Sequence, residues 1–243
     1  MSRPLVFAHR GASARGIENT LDAFELALES GADGIELDIQ ATKDHIPVVI
    51  HDHNLRRLTG KNELISNLYY HQVKLLHVGK FFFRRFNGAK ISTFDEFLGW
   101  HKVHSVPLNV ELKESLLQDE SALRETVEKC SEIPNLHISS FHPELLEKAK
   151  EIAPRIETAL IATKKLNWAE LDKLPYVDVI HANKSRYYKK RYLDALTAQG
   201  RKCRFYNITG DEQFLEEPHD AVIGWITDYP EKVRKMQKLS KSI

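Results

Sequence analysis

Gly34-Ile35-Glu36-Leu37-Asp38-Ile39 is the stretch that decides the fold. Successive side chains of a β-strand point to opposite sides of a sheet, so Ile35, Leu37 and Ile39 share one face, and Glu36 and Asp38 share the other. On an open sheet such a strand reads as a salt-bridged polar face turned to solvent. In a closed barrel neither face meets water: the apolar one packs on surrounding helices and the carboxylates point to the barrel axis. The sequence on either side decides between the two.

Working outward, short β-rich runs alternate with amphipathic helical runs. Before the stretch, Leu5–Ala8 reads as a strand, and Leu21, Phe24 and Leu28 recur at helical spacing, with Asn19 as N-cap and Gly31 as stop. After it, strands are expected at Pro47–Ile50, Val106–Leu112, Leu136–Ser140, Ile156–Ile161, Val177–Ile180, Arg204–Ile208 and Ala221–Ile226. Helices are expected at Phe94–Trp100 and Ser121–Lys129, from Pro143, over a short Trp168–Lys173, through Tyr188, Tyr192, Leu193 and Leu196 to Gly200, and from Pro230. Steady β-then-α alternation implies a parallel sheet. Roughly eight such units in this length favour an α/β fold of the closed (β/α)8 barrel type over an open doubly wound sheet.

The 243 residues are expected to form a single domain. One segment, at about 53–92, fits no simple βα unit, and a loop that long carries either function or its own small structure. Between positions 53 and 90 it holds eight Lys or Arg against one acid, Glu63. It also holds Phe81-Phe82-Phe83 and Phe86, which read as a small core for the insertion sooner than as a lipid contact.

The whole chain carries a formal charge of +1, so no global field points to nucleic acid or a membrane surface. Two cysteines, Cys130 and Cys203, do not make a disulfide scaffold. The start has no signal-peptide pattern and no apolar run is long enough to span a bilayer, so a cytoplasmic protein without membrane anchoring, monomer or homodimer, is expected.

Polar residues gather at the C-terminal ends of the expected strands, the face that carries the active site in such barrels. His9 and Arg10 follow the first strand, and His51 and Asp52 a later one. Glu111 and Lys113 share a face of the strand Val106–Leu112. Three converging carboxylates, Glu36, Asp38 and Glu111, repel one another unless a cation sits among them. An all-oxygen set suits Mg²⁺ or Ca²⁺. Such a cation beside Arg10 and Lys113 makes a phosphate site, with His9 and His51 available as acid and base. Each residue has a plainer reading: His9 and Arg10 as a strand end bonded to local backbone, His51 as a turn residue, Lys113 as a surface ion pair with Glu111 or Glu114, Glu18 and Asn19 as a helix start; Asp52 reads equally as orienting a histidine or as capping a turn.

These residues resemble the glycerophosphodiester phosphodiesterase family. The matching segments run in order over essentially the whole chain: His9-Arg10-Gly11, Glu18-Asn19-Thr20, Glu36-Leu37-Asp38, His51-Asp52 with Leu58-Thr59-Gly60, Glu111-Leu112-Lys113, Ser140-Phe141 and Thr227-Asp228-Tyr229-Pro230. The resemblance implies His9 and His51 as catalytic acid and base, Glu36, Asp38 and Glu111 as ligands of one divalent cation, and Arg10 and Lys113 as phosphate holders. It implies hydrolysis of glycerophosphodiesters, such as glycerophosphocholine or glycerophosphoethanolamine, to sn-glycerol 3-phosphate and an alcohol, and it accounts for an insertion after the His-Asp pair. Two departures stand out. Phe205-Tyr206-Asn207-Ile208 replaces a Trp-Thr-Val-Asn run, and Ile17 stands where a proline is common. Trp225, Phe205, Asn207 and His181, with Asn183 and Tyr206, are candidates for the pocket wall. The rival readings are a phospholipase C-like or D-like phosphodiesterase acting on intact or lyso-lipid, and a non-catalytic binding barrel.

Overall fold

The computed structural model describes residues 3–79 and 88–239. Eight parallel strands close into a barrel: β1 (Leu5–His9), β2 (Gly34–Ala41), β6 (Leu108–Leu112), β7 (Leu136–Ser140), β8 (Glu157–Ile161), β9 (Val179–Asn183), β10 (Lys202–Ile208) and β11 (Val222–Thr227). Neighbours pair in chain order, and β1 pairs with both β11 and β2, which completes the ring. Between them run α1 (Leu21–Glu29), α4 (Phe94–His104), α5 (Glu120–Ser131), α6 (Pro143–Ile152), α7 (Lys184–Tyr187), α8 (Lys190–Ala198) and finally α9 (Pro230–Leu239). Among the described residues no helix is long and apolar enough to cross a membrane.

Strand register shows which side chains face the axis. His9 lies beside Glu36, Asp38 beside Glu111, Glu111 beside Ser139, and Arg204 beside both His181 and Gly224. The alternate residues, Val6, Ile35, Leu37, Val110, Ile138, Ile180, Phe205 and Trp225, are buried and form the main hydrophobic core against the helices. Sheet and helix layers are thus glued by the apolar parity of each strand, which leaves the polar parity for the interior. Packing is tight around Gly34. A Cβ on Gly34 would come within 2.5 Å of the Pro107 carbonyl oxygen and 2.8 Å of the Phe7 ring, so only glycine fits where Phe7 plugs the barrel.

Three local expectations are corrected. Pro47–Ile50 is no stave of the barrel: β3 (Pro47–Val49) runs antiparallel on the far end of β2, with Ile39 opposite Val49. A five-residue link, Thr42-Lys43-Asp44-His45-Ile46, turns the chain too soon for a helical crossover, and parallel pairing needs one. The N-cap of α1 is Thr20, whose hydroxyl accepts from the Ala23 amide, not Asn19. The short helix expected at Trp168–Lys173 is one 3₁₀ turn over Leu171–Lys173.

The segment after Asp52 carries its own structure: α2 (Arg56–Thr59), α3 (Tyr70–Val73) and a two-stranded ribbon, β4 (His77–Val78) with β5 (Ala89–Lys90). Its core is separate from the main one and includes Leu55, Leu58, Ile65, Leu68, Val73, Val78 and Ile91 on the back of β3. The phenylalanines 81–83 and 86 lie outside the described residues.

Candidate active site

The antiparallel return of β3 sets the geometry of the site. The Ile50 amide donates to the Asp38 carbonyl, so the chain leaves β3 level with the acidic residues of β2 and delivers His51 to the C-terminal mouth of the barrel. His9 arrives at the same mouth from β1. Arg10 follows in a left-handed conformation (φ 57°), and its amide donates to Glu36 Oε2 at 2.7 Å. Gly11 continues the turn at φ 80°, where a Cβ would lie 2.7 Å from the Ala23 backbone. The tight turn therefore needs glycine at 11 in order to aim the residues at 9 and 10.

Glu36, Asp38 and Glu111 are buried, and each offers a carboxylate oxygen that lies within 4.8 Å of those of the other two. Two cations stand among them. Lys113 Nζ donates to Glu111 Oε1 at 2.6 Å and lies 3.5 Å from Asp38 Oδ1, and Arg10 Nε lies 3.2 Å from Asp38 Oδ2. Lys113 therefore does pair with Glu111, as the plainer reading had it, but inside the barrel mouth and not on the surface. Asn19, itself at φ 57°, donates from Nδ2 to Asp38 Oδ2 at 2.8 Å.

Electrostatics follow from three carboxylates facing two cations. Glu36 is pushed up to about 8, by burial first and then by the Asp38 and Glu111 carboxylates, against the pull of His9 and Arg10. Burial and Asp38 likewise raise Glu111. Burial also opposes the charge on Asp38, yet Lys113, Arg10, His51 and the Asn19 hydrogen bond outweigh it and hold this carboxyl below its ordinary value. One acid is thus firmly ionised and two are held back from ionising. Asp38 Oδ1, moreover, is buried without a hydrogen bond, Lys113 being near but not in bonding geometry. A buried, unsatisfied carboxylate oxygen facing two reluctant carboxyls is what a hard divalent cation would satisfy, so the residues fit a metal ion.

Each histidine is held by an aspartate. His9 Nδ1 lies 2.6 Å from Asp228 Oδ1, which also accepts from the Ser13 hydroxyl at 2.8 Å. His51 Nδ1 lies 2.7 Å from Asp52 Oδ1. An ionised carboxylate at Nδ1 fixes that nitrogen as the proton-bearing one and leaves Nε2 free for proton transfer. Burial disfavours charge on His9, but the Asp228 hydrogen bond and the Glu36 carboxylate raise it above its ordinary value. Asp228, read in sequence as one member of a matching run, and Asn19, read as a cap, are the site residues that sequence reasoning missed; for Asp52, left open between orienting a histidine and capping a turn, the geometry favours orientation.

The expected pocket wall is only partly brought to this mouth. Trp225 and Phe205 fall on the helix-facing parity and are fully buried there, in an aromatic layer with Tyr188 and Phe214. They do not line the site. His181 faces the axis but at the barrel floor, beside His137 and Arg204. A bulge at the end of β10 turns Asn207 outward, exposed and at φ 66°, and leaves Tyr206 facing Glu111. On the other side, an open cavity of about 1050 Å³ runs from His51 and Lys113 across His53, Asn54 and Arg56 of the insertion. A cavity of similar size lies at the barrel floor around Phe7, His137, Glu157 and Arg204, far from these groups.

Residues 9–232 match the model of the glycerophosphoryl diester phosphodiesterase family. The chain belongs to this family. It is 31% identical to a glycerophosphodiester phosphodiesterase of Bacillus altitudinis over 97% of its own length and 99% of that relative's. Among solved structures, a phosphodiesterase of Oleispira antarctica, in complex with the product sn-glycerol-3-phosphate, is 27% identical, with a TM-score of 0.85 and 97% of each chain covered. A glycerophosphodiester phosphodiesterase of Thermotoga maritima is 25% identical with a TM-score of 0.77, over 97% of this chain and 99% of that one. The barrel is the fold of this family.

Proposed function

We propose that this chain hydrolyses glycerophosphodiesters to sn-glycerol 3-phosphate and an alcohol, using the groups assembled at the C-terminal mouth of the barrel. The observation that carries the reading is the convergence of His9, Glu36, Asp38, His51 and Glu111 from four separate segments into one polar mouth, in a chain of this family. In this reading Glu36, Asp38 and Glu111 hold one divalent cation, Mg²⁺ or Ca²⁺. When bound, that ion supplies positive charge to the phosphate and its transition state.

The chain's own residues do the rest. Arg10 and Lys113 take phosphate oxygens, the arginine through its planar fork and the lysine as a point charge. The nucleophile loses its proton to Nε2 of one histidine, and Nε2 of the other gives a proton to the leaving alkoxide. The protons balance, and the two aspartates keep both imidazoles in the working tautomer. Two free buried thiols, Cys130 and Cys203, accord with a cytoplasmic setting.

The test is release of sn-glycerol 3-phosphate from glycerophosphocholine and glycerophosphoethanolamine, before and after chelation, with Mg²⁺ or Ca²⁺ added back. Turnover that is lost on chelation and restored by one metal is expected. Full activity after chelation overturns the metal assignment, and release from vesicle-bound phospholipid alone overturns the substrate class.

A further inference from the structure

One charged side chain beside the mouth has no part in the mechanism above. Arg57, on α2 of the insertion, is not bonded to the acid cluster or to the two histidines, yet its guanidinium makes four hydrogen bonds to two carboxylates. Nε and Nη2 donate to the two oxygens of Asp52 at 2.6 and 3.0 Å. Nη1 and Nη2 donate to the two oxygens of Glu18 at 2.6 and 2.7 Å. Both carboxylates have a second task. Asp52 bonds His51 Nδ1, and Glu18 Oε1 accepts from Arg10 Nη1 at 2.9 Å. An unbroken chain of contacts therefore runs from His51 through Asp52, Arg57, Glu18 and Arg10 to Asp38.

We propose that Arg57 is a positioning residue, which fixes the His51 proton-transfer arm relative to the Arg10 phosphate arm and so makes the fold of the insertion a condition of catalysis. The inference rests on the functional reading above. Stability alone is a poor reason for the arrangement, because the Arg57 side chain is half exposed and exposed ion pairs contribute little. Geometry is a better one. Two bidentate contacts on adjoining edges of one guanidinium set the distance and angle between two carboxylates, which a lysine ammonium does not do. The anchor is local: Leu55 and Leu58 bury in the insertion's core on either side of Arg57, and Gly60 closes α2 at φ 81°. Arg57 thus ties residues 53–67 to the chemistry.

The experiment compares Arg57→Gln and Arg57→Lys with the wild type in steady-state turnover of a glycerophosphodiester and in thermal unfolding. Tm is expected to move by no more than about 2–4 °C, the scale of an exposed pair in a chain of this size. kcat is expected to fall about 10–100-fold in Arg57→Gln, the usual effect of removing a group that orients a working residue, with KM changed far less. Arg57→Lys, which keeps the charge, is expected to recover only part of the loss. In the Arg57→Gln background Asp52→Asn should add much less than it does alone, since both break the same link. Wild-type kcat in Arg57→Lys overturns the inference, and so does strict additivity with Asp52→Asn. Should the wild type turn over no glycerophosphodiester, the functional reading fails, and the inference is decided by ¹⁵N shifts of the His51 imidazole: a single Nδ1–H tautomer in the wild type and a mixture in Arg57→Gln sustains it, and identical spectra overturn it.

Discussion

Asp38 is the residue on which the charges of the site balance. Among the described residues it alone touches both Arg10 and Lys113, and its third partner is Asn19, an amide locked at φ 57° where few non-glycine residues sit. Strain of this kind persists where surrounding contacts hold it. Asn19→Ala removes an uncharged donor to Asp38 Oδ2, so metal affinity, measured by calorimetry, should fall about 10–100-fold. Unchanged affinity would show that Asp38 needs no such support. His9 and Asp228 form the second residue-scale test. His9→Ala removes a proton-transfer group and should lower kcat by about 10²–10⁴. Asp228→Asn keeps the imidazole but favours the other tautomer, so kcat should fall while KM holds; equal KM and kcat losses would point to a collapsed pocket instead.

At the scale of elements, the strand alternation of Gly34–Ile39 was readable because both parities are unambiguous: three aliphatic residues against two carboxylates. The same rule carries Glu111 to the mouth and sends Trp225 and Phe205 to the helices, and an even count along β10 separates Arg204 and Tyr206, inward, from Phe205, outward. A large aromatic near a strand's C-terminal end looks like a pocket wall, and only the neighbours' register shows otherwise. β3 was harder. Three apolar residues followed by His-Asp read as any other strand, and its reversed direction depends on a five-residue turn and on the insertion's core behind it. The Asp52–Arg57–Glu18 link was beyond sequence because it joins positions 39 apart in a segment with no periodic pattern. Phe205→Ala tests the layer assignment. It should cost about 3–5 kcal/mol in unfolding free energy, as for a fully buried phenylalanine, and leave KM for every glycerophosphodiester unchanged. A selective rise in KM for one head group, with stability intact, would return Phe205 to the pocket.

For the molecule as a whole, the acid cluster ties stability to both pH and metal. With Glu36 raised to about 8 and Glu111 raised as well, the folded chain without metal holds protons that the unfolded chain has already released. Stability from these groups is therefore full below the unfolded glutamate value, about 4.3, and falls as pH rises towards about 8. The barrel floor acts in the opposite sense at lower pH. Burial, helped by Arg204, drives His181 and His137 well below their ordinary range, so below about 6.5 the unfolded chain takes up protons that the folded chain refuses. A metal ion needs the carboxylates ionised, so under about pH 8 it must displace a proton and its affinity should drop by up to about tenfold per pH unit. From about pH 8 to about pH 6 that is about a hundredfold, worth on the order of 3 kcal/mol of metal-linked stabilisation. The rise in Tm on adding excess Mg²⁺ or Ca²⁺ should accordingly be larger at the higher pH by about 5–10 °C for a chain of this length. Thermal unfolding at the two pH values, with and without metal, measures it. Glu36→Gln, which cannot hold the displaced proton, should flatten the difference, and an equal metal-induced rise in the unmodified chain at both pH values would show that metal binding displaces no proton from Glu36 over this range.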